Sequence, residues 1–421
     1  MAIQEKEIYV YESWSNTEPS LMGILYVDSI RGTEAFSFEY DSEWLNKHKS
    51  SQFMLDPNLD FYDGRQYTNN QELFGIFSDS CPDRWGQVLM KRREAIQARK
   101  EERKPKKLTK SDFLLGVYDE TRMGALRFKL KKDGPFISDD EKGSVPPWTT
   151  LRELEEASRG FEIGNDKEEE KWIKQLIKPG SSLGGARPKA TVKDVEGNLW
   201  IAKFPSTHDE NDAGAWEKVV SDLARLCNLN VPQTKSIKFS SFGHTFLTKR
   251  FDRDKEKRIH FSSAMTLLGK VDGSSAEDGS SYLDIVDFIK SYGANPNEDI
   301  EELWKRIIFN MAVSNTDDHL RNHGFLLTEK GWILSPLYDV NPIPYGEGLS
   351  LNVTDTDNNI HIDTLLEFAV FIDKDEKKAM EEINFICTTV KNNWKTFAKQ
   401  NNISRDSIIK MQPAFYFADK L

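Results

Sequence analysis

The sequence has few cysteines, no long apolar run and no excess of positive charge. Its 421 residues include three cysteines, at positions 81, 227 and 387, which are too few and too widely spaced for a disulfide framework or a metal-ligand spacing. No apolar run reaches the roughly 18 residues of a transmembrane helix, and the N-terminus lacks the basic start and apolar stretch of a secretory signal. We therefore expect a cytoplasmic protein with reduced thiols and no membrane contact.

The acidic balance of the chain argues against nucleic-acid binding by the chain alone. It carries 57 Lys and Arg against 68 Asp and Glu, a formal net charge of -11, whereas nucleic-acid binding needs basic surface. Residues 91–107 are a local exception, with nine basic and three acidic side chains. They fit either a solvated helix face with a basic loop or a surface that touches phosphate or an acidic partner.

At 421 residues the chain is too long for one ordinary core, so we expect two domains. A stretch rich in Gly, Pro and charge at residues 131–147 predicts a linker, with a boundary near residue 140. Before it, alternating segments predict strands at Glu7–Glu12, Gly23–Val27 and Ala35–Tyr40, and a helix that begins at Asp83.

After the linker the pattern changes to hairpins and then to helices. Two hairpins are predicted, Ala190–Lys193 with Leu199–Phe204 and Val231–Phe239 with Thr245–Arg250. Helices dominate from Tyr282 onward. The sequence thus predicts an α+β fold, with a small N-terminal α/β subdomain followed by a two-lobed kinase-like core whose C-terminal lobe is mostly helical. The predicted parts are residues 1–140, 141–260 and 261–421.

The segment from Asn315 to Gly324 reads N-T-D-D-H-L-R-N-H-G and resembles the catalytic apparatus of a phosphotransferase. Protein kinases place a catalytic Asp five residues before an Asn that holds magnesium, and a second metal-binding Asp lies downstream. Asp317 and Asn322 have that spacing, and Asp339 supplies the third group. One carboxylate would orient a hydroxyl nucleophile, while the two other oxygen ligands would hold Mg²⁺ against the phosphates of ATP.

Upstream residues complete this interpretation. Gly184 and Gly185 lie in a loop where missing Cβ atoms let backbone N–H groups approach phosphate oxygens. Lys203 interrupts an apolar strand, L-W-I-A-K-F, and Glu217 on the following helix is its natural partner, as in kinases. The loop matches neither the Walker A pattern nor the kinase glycine-loop spacing.

A metallohydrolase is a competing interpretation of the same segment. His319 and His323 are four residues apart and would share a face on a helix. However, the zincin pattern needs Glu directly after the first His, and Leu320 occupies that position.

These segments together resemble the HipA family, the serine/threonine-kinase toxins of bacterial type II toxin–antitoxin modules. The resemblance is carried, in the family's order, by S-S-L-G-G-A-R-P-K-A, I-A-K-F-P, L-T-K-R-F-D-R, S-N-T-D-D-H-L-R-N-H-G and L-S-P-L-Y-D-V-N-P. It extends to M-G-I-L-Y-V and C-P-D-R-W-G in the N-terminal third and so covers nearly the whole chain.

The resemblance implies a role for each site residue. Asp317 would be the catalytic base, Asn322 and Asp339 would hold Mg²⁺, and Lys203 would contact the ATP phosphates. Gly184 and Gly185 would cover those phosphates, and Phe251 would lie near the adenine. The family autophosphorylates a serine of the glycine-bearing loop, which corresponds here to Ser182, with Ser181 as a neighbouring candidate.

The resemblance also implies partners. The usual partner of the family is a helix-turn-helix antitoxin of the HipB type, which would supply the DNA contact that this acidic chain lacks. Aminoacyl-tRNA synthetases are the extrapolated substrates, but Arg187-Pro188-Lys189 departs from the Gln-Glu-Lys run of the best-known members, which leaves the substrate open. Two alternatives stay open as well: a small-molecule phosphotransferase, and a non-catalytic co-repressor that binds nucleotide as a structural ligand.

Overall fold

The chain folds into two compact units. The computed structural model describes residues 4–16, 18–30, 32–49, 53–69, 71–138, 145–164, 168–177 and 185–421. The first unit comprises Met1–Thr207 with Lys249–Ser262, and the second comprises His208–Thr248 with Ser263–Leu421.

Strands and short helices alternate up to residue 207. The strands are β1 (Gln4–Glu12), β2 (Ser20–Ile30), β3 (Thr33–Tyr40), β4 (Gln66–Tyr67), β5 (Leu126–Lys129), β6 (Lys189–Lys193) and β7 (Leu199–Lys203). The helices are α1 (Ser42–His48), α2 (Gly75–Ser78), α3 (Arg84–Lys100), α4 (Lys110–Gly116), α5 (Leu151–Ile163) and α6 (Glu169–Leu176).

Helices dominate the remainder. They are α7 (Ala213–Leu226), α8 (Ala264–Leu267), α9 (Tyr282–Tyr292), α10 (Pro296–Val313), α11 (Ile362–Phe371), α12 (Glu376–Gln400), α13 (Arg405–Met411) and α14 (Tyr416–Lys420). The strands are β8 (Thr234–Ser240), β9 (Gly243–Lys249), β10 (Arg253–Asp254), β11 (Lys257–Arg258), β12 (Phe261–Ser263), β13 (Gly324–Thr328) and β14 (Gly331–Leu334).

The first unit contains an antiparallel sheet in the order β4-β3-β2-β1-β5. Strand β1 pairs with β2 on one side and with β5 on the other, so that Val10 lies opposite both Gly23 and Phe128. Val10 and Phe128 are almost fully buried, as are Leu25 and Phe38 on the neighbouring strands. Alternation of apolar side chains along these strands is what packs one face of the sheet into a core.

Helix α3 and the hairpin of β6 and β7 belong to the same unit. The Asp83 carboxylate caps α3 by accepting a hydrogen bond from the Gly86 N–H at 2.6 Å. Strands β6 and β7 pair antiparallel around a turn in which Asp194 accepts from the Asn198 N–H at 2.8 Å. The hairpin contains Lys203, one of the candidate site residues.

The second unit is built on the buried helix α10. Its inward residues Trp304, Ile307, Ile308 and Met311 are fully buried. Further along the chain, Trp394 of α12 stacks on Phe415 with ring centroids 4.3 Å apart. Burial of such aromatic side chains is a large contribution to stability.

The predicted α+β fold is confirmed. The predicted strands and hairpins are present with shifted ends. Strand β8 begins at Thr234 rather than Val231 because Pro232 has no N–H to donate to a ladder. Helix α10 begins at Pro296, since Pro at the first helical position is preorganised for a helix. The three-part division at residues 140 and 260 stays a prediction, and residues 139–144 lie outside the described residues.

Among the helices that the structure describes, none combines the length and the apolarity needed to cross a membrane.

Candidate active site

The segment that carries Asp317 and Asn322 is a loop between α10 and β13. Helix α10 ends where Ser314 adopts a left-handed conformation (φ 51°), and the Asn315 N–H then donates to the Asn310 carbonyl at 2.8 Å. Because the segment is not helical, His319 and His323 do not share a helix face, and the metallohydrolase interpretation loses its basis.

Asp318 is the buried centre of this loop. Its side chain is 0% exposed, and one oxygen, Oδ2, accepts from the Tyr282 hydroxyl at 2.6 Å and from Asn310 Nδ2 at 2.7 Å. His323 Nε2 lies 2.8 Å from the same oxygen. Burial alone would raise the pKa of Asp318, but contact with His323 and the hydrogen bonds from His323 and Tyr282 outweigh it and hold that pKa below its ordinary value.

Asp317 and Asn322 are placed around this centre. Asp317 is exposed, and Asn322 is 5% exposed. Asn322 Nδ2 donates to the Asp317 carbonyl at 3.0 Å and closes the loop. That bond does not use Oδ1 of Asn322, which is the atom that a magnesium ion would bind.

Asp339 lies in a second loop that is hydrogen-bonded to the first. The Tyr338 hydroxyl donates to the Arg321 carbonyl at 2.6 Å. Two residues beyond Asp339, the Asn341 N–H donates to Asn315 Oδ1 at 3.2 Å. Asp339 itself has φ 59°, a conformation that is uncommon for a residue other than Gly and that clusters at functional sites. The structure therefore brings Asp317, Asn322 and Asp339 onto two adjoining loops.

The donor set of these two loops fits magnesium. Carboxylate and amide oxygens are its preferred protein ligands, and it is commonly held by one or two carboxylates together with substrate phosphates. Within the described part of the chain, no group of three or more His, Cys, Asp and Glu residues could hold a metal ion. A protein-only metal cage is not needed for an ion that shares its coordination with a nucleotide.

The remaining predicted residues belong to both units. Lys203 ends β7 and is half-buried, and Phe251 is half-buried in the first unit with its ring 6.1 Å from that of Phe261. Gly185 has a left-handed φ of 98°. Ser181, Ser182 and Gly184 lie outside the described residues. Glu217 lies on α7 in the second unit and is 6% exposed. The roles of these residues stay predictions.

Sequence reasoning missed the residues around Phe251. Asp252 is fully buried between Arg250 and Arg253, with Nη2 of Arg250 at 2.6 Å and Nη1 of Arg253 at 2.7 Å from its Oδ2. The same oxygen accepts from the Gly124 N–H at 2.8 Å. The alternating charges of R-F-D-R are the only local signal, because the partner Gly124 lies 128 residues away.

The basic residues at 91–107 pair largely with acidic neighbours in the first unit. Arg92 and Arg99 lie 3.5 and 3.6 Å from the Glu169 carboxylate, and Lys100 lies 2.6 Å from Glu170. These contacts favour the solvated helix face over a phosphate-binding surface.

Comparisons with known proteins agree with the fold. The model of the HipA-like C-terminal domain matches residues 181–394. "Putative kinase Y4mE" of Sinorhizobium fredii is 29% identical over 182 residues, which cover 38% of this chain and 41% of the relative. A "Putative kinase" of Haemophilus influenzae is 29% identical over 197 residues, which cover 42% of this chain and 57% of the relative. The chain thus spans about half the length of these curated relatives.

A solved structure shares the fold over nearly the whole chain. HipA of Shewanella oneidensis, determined in complex with HipB and its operator DNA, aligns over 98% of this chain and 95% of its own, with a TM-score of 0.66 and 16% identity. At that identity the match establishes the fold. Because the family model covers residues 181–394, just over half of the 421 residues, the chain belongs to the HipA family.

Proposed function

We propose that this protein is an ATP- and Mg²⁺-dependent protein serine/threonine kinase that acts as a toxin and arrests growth. The observation that carries the proposal is the pair of adjoining loops in the second unit, which hold Asp317, Asn322 and Asp339. Their spacing and oxygen ligands match what phosphoryl transfer requires.

Each residue has a chemical role in this proposal. Asp317 is exposed, so that a substrate hydroxyl can reach it and give up its proton. Its buried neighbour Asp318 holds the loop in place through hydrogen bonds with three side chains, those of Tyr282, Asn310 and His323. Asn322 and Asp339 hold the metal ion. When bound, MgATP supplies the phosphoryl group and the charge neutralisation at its oxygens.

Residues elsewhere in the chain bind the nucleotide. Lys203 contacts the ATP phosphates, with Glu217 as its acidic partner, and Gly184 and Gly185 cover those phosphates with backbone N–H groups. Phe251 lies against the adenine. Buried charges on both sides of Phe251, described above, support a fixed position for its backbone.

Autophosphorylation of Ser182 switches the enzyme off in this proposal. A phosphoserine adds nearly two negative charges in a loop that must itself cradle the phosphates of ATP, so repulsion would drive the loop out of its binding conformation. Substitution of Ser182→Asp should weaken ATP binding in a titration with a fluorescent ATP analogue. Undiminished affinity would overturn the switch and leave the kinase proposal standing.

The proposed partner is a helix-turn-helix antitoxin of the HipB type, through which the complex contacts DNA. The net charge of -11 supports DNA contact through the antitoxin, because the chain by itself is poorly suited to bind a polyanion. The substrate class that we propose is an aminoacyl-tRNA synthetase.

The first experiment is intact-protein mass spectrometry after incubation with ATP and Mg²⁺. Dephosphorylated wild-type protein should gain one phosphate that maps to Ser182, whereas Asp317→Ala should gain none. Asp355→Ala is a matched control, since Asp355 is an exposed aspartate of the same unit, and it should behave as wild type.

Other outcomes point to other functions. Nucleotide turnover with phosphate on a small molecule and none on protein would indicate a small-molecule phosphotransferase. Nucleotide binding without turnover, with all phenotypes intact in Asp317→Ala, would indicate a co-repressor.

A further inference from the structure

The start of helix α3 is bound to the segment that follows the glycine-bearing loop. The Trp85 N–H donates to the Gly185 carbonyl at 3.3 Å, and the Trp85 indole N–H donates to the Lys189 carbonyl at 3.1 Å. Asp83 Oδ2 lies 3.1 Å from Lys189 Nζ, and both side chains are at most 3% exposed. Asp83 and Trp85, at the start of α3, thus contact both ends of the turn from Gly185 to Lys189, called the glycine turn below.

The backbone of Gly185 and the side chain of Lys189 are also in close contact. Gly185 has φ 98°, and a Cβ added there would lie 3.1 Å from Lys189 Nζ. The Lys189 side chain therefore folds back beneath the Gly185 backbone. A side chain at position 185 would be strained by its backbone conformation and would also crowd this ammonium group.

Lys189 and Lys203 are directly opposite each other in the hairpin of β6 and β7. Side chains of a directly opposed antiparallel pair lie on the same face, and like charges in such a pair are destabilising. Asp83 offsets the charge of Lys189 within this buried ion pair. The hairpin can therefore present Lys203 beside a second cation without a net repulsion.

We propose that Asp83 and Trp85 are positioning residues for ATP, acting through Lys189 to fix the glycine turn and Lys203 relative to each other. This proposal rests on the proposed function, because Lys203 and the glycine turn bind phosphates only if the protein binds ATP. Its consequence is that the N-terminal helix α3, which precedes the family domain at residues 181–394, sets nucleotide affinity.

The first test is Trp85→Phe, which keeps an aromatic ring against Phe161 (centroids 5.3 Å apart in the wild type) and removes the indole N–H. The autophosphorylation rate as a function of ATP concentration should show KM raised about threefold to tenfold, as expected for one lost hydrogen bond, with kcat within about twofold. Amide exchange at residues 185–193 of the nucleotide-free protein should become faster.

Trp200→Phe is the matched control. It removes an indole N–H bond of 2.8 Å to Asp194 at the other end of the same hairpin. We expect it to leave KM for ATP unchanged. A KM that rises equally in both variants would show general loosening of the hairpin and would overturn the positioning role.

The second test is Asp83→Asn, which keeps the cap on α3, because Asn caps as well as Asp, and leaves Lys189 without its counter-charge. We expect a larger rise in KM than for Trp85→Phe. Should this variant fail to fold, the double variant Asp83→Asn with Lys189→Met removes the buried charge. It should still show faster exchange at residues 185–193 and a raised KM.

The outcomes separate the two proposals. Wild-type protein that binds no fluorescent ATP analogue would overturn the proposed function and this inference with it. Wild-type protein that binds the analogue, together with unchanged affinity in Trp85→Phe and in the Asp83 variants, would overturn the positioning role alone. A fall in kcat at constant KM would also overturn it, since that pattern belongs to the chemical step.

Discussion

Two fully buried aspartates, Asp252 in the first unit and Asp318 in the second, hold loops that carry candidate site residues by different means. Asp252 is surrounded by charge, with guanidinium nitrogens of Arg250 and Arg253 at 2.6 and 2.7 Å. Asp318 is contacted by a hydroxyl, an amide and an imidazole ring. The position of Asp252 therefore depends on opposite charges, whereas that of Asp318 depends mainly on hydrogen-bond geometry.

The difference predicts different costs of mutation. Removing one partner of a buried ion pair leaves a charge without compensation, which costs about 3–5 kcal/mol. Hydrogen bonds to a charged group contribute about 1.5–3 kcal/mol. The pKa of each aspartate is lowered in the folded state, because charges and hydrogen bonds outweigh burial. Each therefore contributes stability above the ordinary aspartate pKa of about 4, and this stability is lost as pH falls through the folded pKa.

The largest effect is expected for Asp252→Ala. It leaves Arg250 and Arg253 buried without their carboxylate, so the free energy of unfolding should fall by about 3–5 kcal/mol. Urea unfolding followed by tryptophan fluorescence measures this change. Asp254→Ala, at an exposed position two residues away, is the control and should change stability little. A loss below about 1 kcal/mol for Asp252→Ala would show that backbone carbonyls alone satisfy these arginines.

A smaller loss of stability is expected for Asp318→Asn. The amide removes the negative charge and disturbs the donors that converge on one oxygen, so unfolding should become easier by about 2 kcal/mol. Phosphate incorporation in the mass-spectrometry assay should fall as well, because the loop of Asp317 loses its support. Asp355→Asn should leave both quantities unchanged. Full phosphate incorporation in a folded Asp318→Asn protein would contradict the supporting role of Asp318.

The smallest change in the free energy of unfolding is expected from His260, a buried histidine beside Asp252. His260 is 1% exposed, stacks on Trp14 at 4.6 Å, and has a pKa lowered by burial from 6.5 to about 3. Between these two values the unfolded chain binds a proton that the folded chain does not. Stability is therefore fully present above pH 6.5 and falls as pH decreases toward 3, by at most about 1.4 kcal/mol per pH unit.

His260→Phe tests this directly, since it keeps an aromatic ring and removes the titration. From pH 7.5 to 5.5, the wild type should lose about 1 kcal/mol more free energy of unfolding than the variant. His361→Asn replaces a histidine that is 62% exposed and should leave the pH dependence unaltered. Identical pH profiles for wild type and His260→Phe would assign the acid sensitivity to other groups.

Much of the candidate site was predictable because its residues are close in sequence. Asp317 and Asn322 lie in one loop, and the spacing alone brought them together. Lys203 was recognisable as a charge inside an apolar strand. The motif C-P-D-R-W-G contains Asp83 and Trp85 but does not indicate their role. Their contacts to Gly185 and Lys189 join residues about 100 positions apart.

The α+β class, the positions of the main strands and helices, and the candidate phosphotransferase residues could all be read from the amino-acid sequence. These properties follow from local periodicity, turn residues and short spacings, which act over a few residues. The folded structure was needed to show that Asp318 gathers Tyr282, Asn310 and His323 around one oxygen. It was also needed to show that Asp252 is a buried counter-charge and that the start of α3 contacts the turn from Gly185 to Lys189. These roles depend on which distant groups are buried together, because burial makes an unpaired polar or charged group costly and leaves no local mark in the sequence.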